Sequence, residues 1–425
     1  MRLPVEIPRP KSAGNHISGI YPGHKVALCD FLPIFRAPEA RVGCPHRGRS
    51  VRMSLPSAPR RRTPSVSFPN ETLAAIFDDL TPSVLIDIAR VCRRFNAVAE
   101  RILYSSIVIT DVLSESSPIP AKTLRCCQSI LERPHLVETI KKLQIRWQGN
   151  FRTLSPQRLA EACIETGSAL QSLAFLEGLD IFLGPANLAS IPFQRIHAVE
   201  RMVEGCQFPY LRYCSLGAEW AKGVQPYTDI LPAFLTLVPS LRRLKLSDHH
   251  TTLQLPPGAL PSLSHFRGSP DTAAILLPGR PVHFLALIGQ DSDVNRDNLS
   301  QLAHTTVPLR TLDLSAMQVR PILLRSISSH LSAIETLKVR LALRHTLHYA
   351  LSGITLLAGL SSVLSEFRQL VCFDLSPTEL DGNRNANFTE EACLCTEWSR
   401  ACPTLKRIVF PSGTEWHLAE DGTWV

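Results

Sequence analysis

One local pattern keeps returning along this chain: an apolar residue, two others, an apolar residue, one other, and a third apolar residue. It occurs at Ile140/Leu143/Ile145, Leu170/Leu173/Phe175, Leu211/Cys214/Leu216 and Leu241/Leu244/Leu246. A weaker copy, Leu263/Phe266/Gly268, precedes Val282/Leu285/Leu287. Leu309/Leu312/Leu314, Ile334/Leu337/Val339, Leu370/Phe373/Leu375 and Leu405/Ile408/Phe410 complete the series. The copies start roughly 20–40 residues apart, the spacing of a stacked repeat. Alternating apolar residues describe a short strand with one face in a core. No unit of this size buries that face alone, so neighbours must stack. Three copies share a lead-in: Val238-Pro239-Ser240-Leu241, Leu260-Pro261-Ser262-Leu263 and Cys402-Pro403-Thr404-Leu405. Proline stops a preceding helix, and the small hydroxyl residue starts a turn. The expectation is an α/β solenoid with a strand in each unit and a helix returning to the next.

The stretch before the repeats obeys a different period. Residues 66–104 open with Phe68-Pro69, followed by apolar residues at Leu73, Ile76, Phe77 and Leu80. That i, i+3, i+4, i+7 spacing makes a stripe on one helical face. Thr81-Pro82-Ser83 interrupts it and offers a capping oxygen and a first-turn proline for a second helix. The second helix carries Leu85, Ile88, Ala89 and Cys92, and a third runs through Phe95, Val98 and Ala99 to Leu103-Tyr104. Three short helices hold too little core to be comfortably stable alone. Part of their apolar surface is therefore expected to dock on something.

Charge separates a third region. The chain has 425 residues and a net charge of +8. Residues 1–63 hold 12 Lys and Arg against 3 acidic residues, a balance of +9, which leaves the remainder at −1. The basicity belongs to a Pro-rich tail without sustained periodicity, expected to be disordered. Its Arg60-Arg61-Arg62 run reads as a solvated flank, and neither nucleic-acid nor membrane binding is expected of the chain. Met53 is a possible second start, and Thr63-Pro64 matches a common phosphorylation pattern. Met1-Arg2-Leu3-Pro4 does not open a secretory signal. The 12 cysteines include no C-x-x-C pair, and several, such as Cys92, Cys214 and Cys372, occupy apolar positions. Reduced, buried thiols in a cytoplasmic or nuclear protein are expected. Asn70-Glu71-Thr72 and Asn387-Phe388-Thr389 match glycosylation acceptors, yet neither is expected to be modified. The most apolar run, 345–365, is expected to be a buried helix and not a membrane span.

The 66–104 stretch resembles the F-box. The resemblance rests on the apolar-Pro pair, then Glu71, Leu73, Ile76-Phe77 and Leu80, a Pro-containing turn, Leu85, Ala89-Arg90-Val91-Cys92-Arg93-Arg94-Phe95, and a closing Leu103-Tyr104. Phe68 stands where the family usually has Leu. Val84 stands where it often has Asp, so a capping carboxylate is lost, with Ser83 as its expected substitute. The repeat region resembles the irregular leucine-rich-like arrays that follow F-boxes, particularly in mushroom-forming fungi. Regular repeats place Asn shortly after the strand; here His249, Met317 and Thr378 sit there instead. The ending resembles the closing segment of that group, with Trp416 and Trp424 expected to cover the end of the solenoid. The implied division is a tail at 1–63, an F-box at 64–110 and a solenoid with a C-terminal cap at 111–425.

The resemblance implies a substrate receptor of a Skp–cullin–F-box ubiquitin ligase, without bond chemistry of its own. Its partners would be a Skp-type adaptor, cullin and RING subunits reached through that adaptor, and a protein target. An adaptor-binding scaffold outside any ligase is the alternative. Carried over position by position, the adaptor-facing set is Phe68, Pro69, Leu73, Ile76, Phe77, Leu80, Pro82, Leu85, Val91 and Phe95. Some of these must pack the F-box itself. A Leu73→Ala, Phe77→Ala double substitution is expected to abolish adaptor binding.

Nothing in the sequence assembles a catalytic or cofactor site. There is no G-x-S-x-G, no G-x-x-x-x-G-K-[ST] and no H-E-x-x-H. Asp248-His249-His250 lacks companion ligands at usable spacing and reads as a solvated turn. Cys393, Cys395, Cys402 and His417 have no standard zinc spacing, and buried helix and strand thiols are the expected case. Lys141 to Trp147 mixes basic and aromatic residues, as a half-buried strand does. Arg146, Arg212, Arg243 and Lys338 lie between apolar strand positions, so they are candidates for one exposed face.

Overall fold

The computed structural model describes residues 68–149, 156–184, 196–219, 226–249, 253–342, 355–379 and 388–425. The expected tail, Met53, Thr63, His250, Asn387 and residues 345–354 lie outside them. Among the described residues, twelve strands form one sheet whose spatial order is the chain order. They are β1 (Ser106–Leu113), β2 (Lys142–Gly149), β3 (Gly178–Phe182), β4 (Tyr213–Gly217), β5 (Arg243–Leu246) and β6 (His265–Gly268). The second half holds β7 (Phe284–Leu287), β8 (Thr311–Val319), β9 (Thr336–Leu341), β10 (Cys372–Asp374), β11 (Arg407–Val409) and β12 (Glu415–His417). Strands β1 to β11 run parallel, and β12 returns antiparallel on β11. Helices connect most of the parallel strands, giving the repeat solenoid that the apolar pattern requires.

The pattern marks β2 and β4 to β11 correctly and misses twice. Leu170 lies in the last turn of the helix Pro156–Gln171, and two successive turns close from Leu173 N to Leu170 O and from Leu176 N to Leu173 O. The strand therefore begins six residues later than expected, on Leu176, Leu179 and Ile181, while Phe175 is exposed. The same spacing occurs at Tyr104, Ile107 and Ile109, which enter β1 directly from the preceding helix. Gly268, the weak third position in the Leu263 unit, also has a physical cause. A Cβ there would come 2.6 Å from Phe266 Cζ, so one large ring fills the space of two ordinary side chains.

Without an asparagine column, the backbone ties the turns together. Lys141 O accepts from both Glu177 N and Gly178 N at 2.8 and 3.0 Å. Glu177 O does the same for Arg212 and Tyr213, and the scheme continues through Arg212, Arg242, Ser264, His283, Arg310, Glu335 and Val371. Each turn thus satisfies two donors that burial would otherwise orphan. At the other end of the strands, the residues standing in for asparagine act singly. Thr378 Oγ1 accepts from Leu341 N at 3.0 Å, His249 Nδ1 meets Thr272 Oγ1 at 2.8 Å, and Met317 is simply buried.

Buried carboxylates add further clasps, each surrounded by donors as burial of a charge demands. Asp111 accepts from Lys122 N, Thr123 N and Thr123 Oγ1 at 2.9, 2.9 and 2.6 Å. It thereby caps the helix Ala121–Glu132 from a neighbouring strand, and Trp147 Nε1 donates to the same threonine. Glu200 accepts from Thr228 N and Leu231 N. Asp248 accepts from Ala218 N and the Tyr227 hydroxyl and meets His197 Nε2, at 3.1, 2.8 and 3.0 Å. The expected solvated turn at Asp248-His249 is thus overturned: both side chains are buried, and their polar atoms join adjacent repeats. A short Asp-His pair looks polar in sequence, and its partners come from residues up to 51 positions away.

The C-terminal end of the sheet is covered by the last residues of the chain. Strand β12 pairs with β11, His417 and Val425 exchange backbone hydrogen bonds, and Trp416 and Trp424 pack against the core. Buried Glu391 holds the cover in place, accepting from Ser412 Oγ at 2.7 Å and Trp416 Nε1 at 2.9 Å. Within the apolar run, residues 355–364 form a turn of 3-10 helix and a short α-helix that bury Leu357, Leu360, Val363 and Leu364. Among the described residues, no helix is long and apolar enough to cross a membrane.

Candidate functional site

Three helices precede the sheet: α1 (Asn70–Asp78), α2 (Pro82–Ala89) and α3 (Arg93–Ser105). Their limits follow the sequence signals. Pro69 stands just before α1 and Pro82 occupies the first turn of α2. Cys92 caps α3, its Sγ accepting from Phe95 N at 3.4 Å. That thiol is exposed, against the expectation of burial, because it serves the helix end. The expected cap of α2 is also absent: Thr81 and Ser83 meet each other at 3.0 Å and neither caps the helix. Arg94 closes the bundle, with Nε donating to Asn70 Oδ1 at 2.8 Å and Nη2 donating to Phe68 O. Helix α3 runs straight into β1, so Val98, Ala99, Leu103 and Tyr104 share one core with the solenoid.

This packing divides the ten sequence-derived candidates. Leu73, Phe77 and Leu85 are buried, and Phe77 sits edge-to-face on Phe95 with ring centres 5.5 Å apart. Leu80, Pro82 and Phe95 are half-buried. Phe68, Pro69, Ile76 and Val91 are exposed, Val91 by 68% and Ile76 by 49%. Val84, outside the original set, is exposed as well. The first stripe therefore splits: Leu73 and Phe77 face inward while Ile76, between them, faces out. Four large apolar side chains, Phe68, Ile76, Val84 and Val91, are thus exposed within residues 68–91, and they are the candidate surface of these helices. The Leu73→Ala, Phe77→Ala pair would empty the core of the helices before it tested any docking.

The open face of the sheet is a second candidate. Strand residues that alternate with the buried ones are half exposed, as in β2 and β9. Arg146, Arg243 and Lys338 lie there, whereas Arg212 precedes β4 and serves the turn column through its carbonyl. Lys338 Nζ pairs with Asp374 Oδ2 at 2.9 Å, and the Arg146 guanidinium lies 5.5 Å above the Phe182 ring. The aromatic residue in the Lys141–Trp147 run is fully buried, so alternation explains it. Cys395 and Cys402 are buried while Cys393 is exposed, and among the described residues no cluster of His, Cys, Asp or Glu could hold a metal. Burial pushes the thiols of Cys127, Cys163, Cys206 and Cys395 up to about 12, which disfavours their reactive thiolate form.

No curated protein matches the sequence. The chain is similar in structure to that in the Rad7 and Elc1 complex of yeast, at 12% identity and a TM-score of 0.34, covering 83% of this chain and 92% of that one. It is similar to the leucine-rich repeat-containing protein LegL7 of Legionella pneumophila, at 15% identity and a TM-score of 0.37, covering 76% and 90%. An internalin of Listeria monocytogenes follows at 13% identity and a TM-score of 0.29, covering 80% and 87%. The F-box-like family matches residues 66–110, which hold α1 to α3 and the first half of β1. The chain therefore carries an F-box-like domain, and its last helix runs without a break into the repeat solenoid.

Proposed function

We propose that this chain is the target-recognition subunit of a Skp–cullin–F-box ubiquitin ligase. The observation that carries the reading is the exposed apolar surface left on the F-box-like domain after its own core is complete. Phe68, Pro69, Ile76 and Val91, with the half-buried Leu80, Pro82 and Phe95, form the adaptor-facing set, while Leu73, Phe77 and Leu85 hold the helices together. A fully covered large apolar side chain gains roughly 1.5–3 kcal/mol. Several together suffice for a micromolar or tighter complex, for which about 8 kcal/mol is needed. In this reading residues 64–110 dock the adaptor, cullin and RING subunits join through it, and the solenoid from 111 onward presents the target. The chain then performs no bond chemistry. Its contribution is proximity, holding a target lysine near a charged thioester on the conjugating enzyme.

The test is affinity capture of the full chain beside an Ile76→Asp, Val91→Asp variant, with purified Skp-type adaptor and then with cell extract. Both substitutions are on exposed positions, so the variant should fold. Adaptor and cullin captured only by the wild type would support the receptor. Adaptor without cullin would replace it with a scaffold outside the ligase. Undiminished adaptor capture by a folded variant would sink the assigned face.

A further inference from the structure

Cations on the open face are treated differently in its two halves. From β9 onward they are paired: Lys338 with Asp374 at 2.9 Å, Arg340 with Glu379 at 2.6 Å and Arg407 with Glu415 at 2.5 Å. Between β2 and β6, Arg146, Lys245 and Arg267 make no ion pair among the described residues. Arg146 Nε and Arg267 Nε are buried there without a hydrogen-bond partner. Register gathers these three cations around one carboxylate. Asp180, Ser215, Lys245 and Arg267 are direct partners on successive strands, and Arg146 is the partner of Phe182, two residues beyond Asp180. Burial raises the Asp180 carboxyl above its ordinary value against the pull of Lys245, and burial lowers Lys245. Three cations against Asp180 alone leave a local surplus of two positive charges.

Three cations sharing one carboxylate on an open sheet face repel one another, and an anionic partner relieves that repulsion. We infer that this patch seats an extended acidic peptide segment of the recruited target, its carboxylates meeting Arg146 at one end and Lys245 and Arg267 at the other. From β2 to β6 the four strand-to-strand steps of roughly 4.8 Å span about 19 Å. About six extended residues cover that distance. Two carboxylates match the surplus charge, and a carboxylate takes two donors of one guanidinium side by side. A single phosphate group would leave one end of the patch unmatched. The inference rests on the receptor reading and gives that receptor a target chemistry.

The test titrates the full chain against a fluorescein-labelled twelve-residue peptide of alternating Glu and Ser, read by anisotropy. Comparison probes are the same peptide with Gln for Glu, a Gln peptide with one phosphoserine, and single-stranded oligothymidine. The Glu peptide is expected to bind, and to weaken as salt rises. Lys245→Ala with Arg267→Ala should lower its affinity about tenfold or more. Asp180→Asn removes the internal competitor and should raise affinity about threefold. Lys338→Ala, in the paired half, should leave it unchanged. Equal binding of the Gln peptide, or tighter binding of the phosphoserine peptide or the oligonucleotide, would overturn the proposal. So would a loss of affinity in Asp180→Asn, since a merely structural cluster gives no opposed signs. Adaptor capture is measured separately on the same preparation. Its loss with peptide binding intact counts against the receptor reading, and the reverse result counts against the patch alone.

Discussion

The two ends of this molecule complete themselves differently. At the C-terminal end, β12 folds back on β11, Trp416 and Trp424 pack on the core, and Glu391 gathers the polar groups of the cover. Lys338, Arg340 and Arg407 on the open face there have carboxylate partners, and Val371, Phe388 and Val425 are its exposed large apolar residues among the described ones. At the N-terminal end, Phe68, Ile76, Val84 and Val91 are exposed, and on β2 and β6 Arg146 Nε and Arg267 Nε have no hydrogen-bond partner among the described residues. Both ends use the same chemistry of burial and pairing. The difference is that one supplies its own partners while the other leaves them to be supplied. A surface of the second kind contributes little to folding and a great deal to association.

The comparison is sharpened most by Trp398, which is fully buried between Phe373 and Phe410 at the closed end. Trp398→Ala should cost about 3–5 kcal/mol of stability, read by chemical unfolding. Trp398→Phe should cost much less, because Nε1 has no partner to lose. At the open end the Ile76→Ser, Val91→Ser pair should change stability by no more than about 0.5 kcal/mol while removing adaptor capture. Should that pair unfold the helices, the open end is part of the core after all and the contrast collapses.

An intermediate effect is expected at Glu391. Glu391→Ala deprives Trp416 Nε1 and Ser412 of their shared acceptor. The cost should be about 1–3 kcal/mol, concentrated in the cover and visible as faster hydrogen exchange in β11 and β12. An unchanged exchange rate there would mean that the apolar contacts of Trp416 and Trp424 hold the cover unaided.

Much of the fold was legible in the sequence, whereas the contrast between the ends was not, and the limits have physical causes. The strand spacing located β2 and β4 to β11 because alternate burial leaves a period that each unit repeats. It failed at β3 because Leu170, Leu173, Leu176, Leu179 and Ile181 offer the same spacing in two registers, and only backbone turns choose between them. The F-box-like segment was readable from its order of pieces. Which of its apolar residues point outward was not, since a helix of nine residues shows one stripe whichever neighbour it packs against. Buried carboxylates such as Asp111 and Asp248 were invisible for a related reason. Their donors come from other repeats, and no local pattern announces them.

The smallest effect separates the two halves of the open face by pH. Burial alone would raise the Asp374 carboxyl, but hydrogen bonds from Ser376 and Lys338 outweigh it and hold the group below its ordinary value. Its folded pKa is therefore depressed, so it contributes stability above the unfolded value of about 3.9 and loses it as pH falls through the folded value. Asp180 shifts the other way, because burial penalises its charged form. Its folded pKa is raised, so the fold bears a cost at neutral pH that is relieved as pH falls through that raised value. Asp374→Asn should accordingly be less stable than wild type at pH 7, with the gap closing on acidification below about 4. Asp180→Asn should be the more stable protein at pH 7, and its advantage should shrink on acidification. Hydrogen exchange in β9–β10 and in β3–β5, followed from pH 7 downward, reads both. Gaps of the same sign would mean that the two halves are electrostatically alike, and the contrast between the two ends would then rest on apolar surface alone.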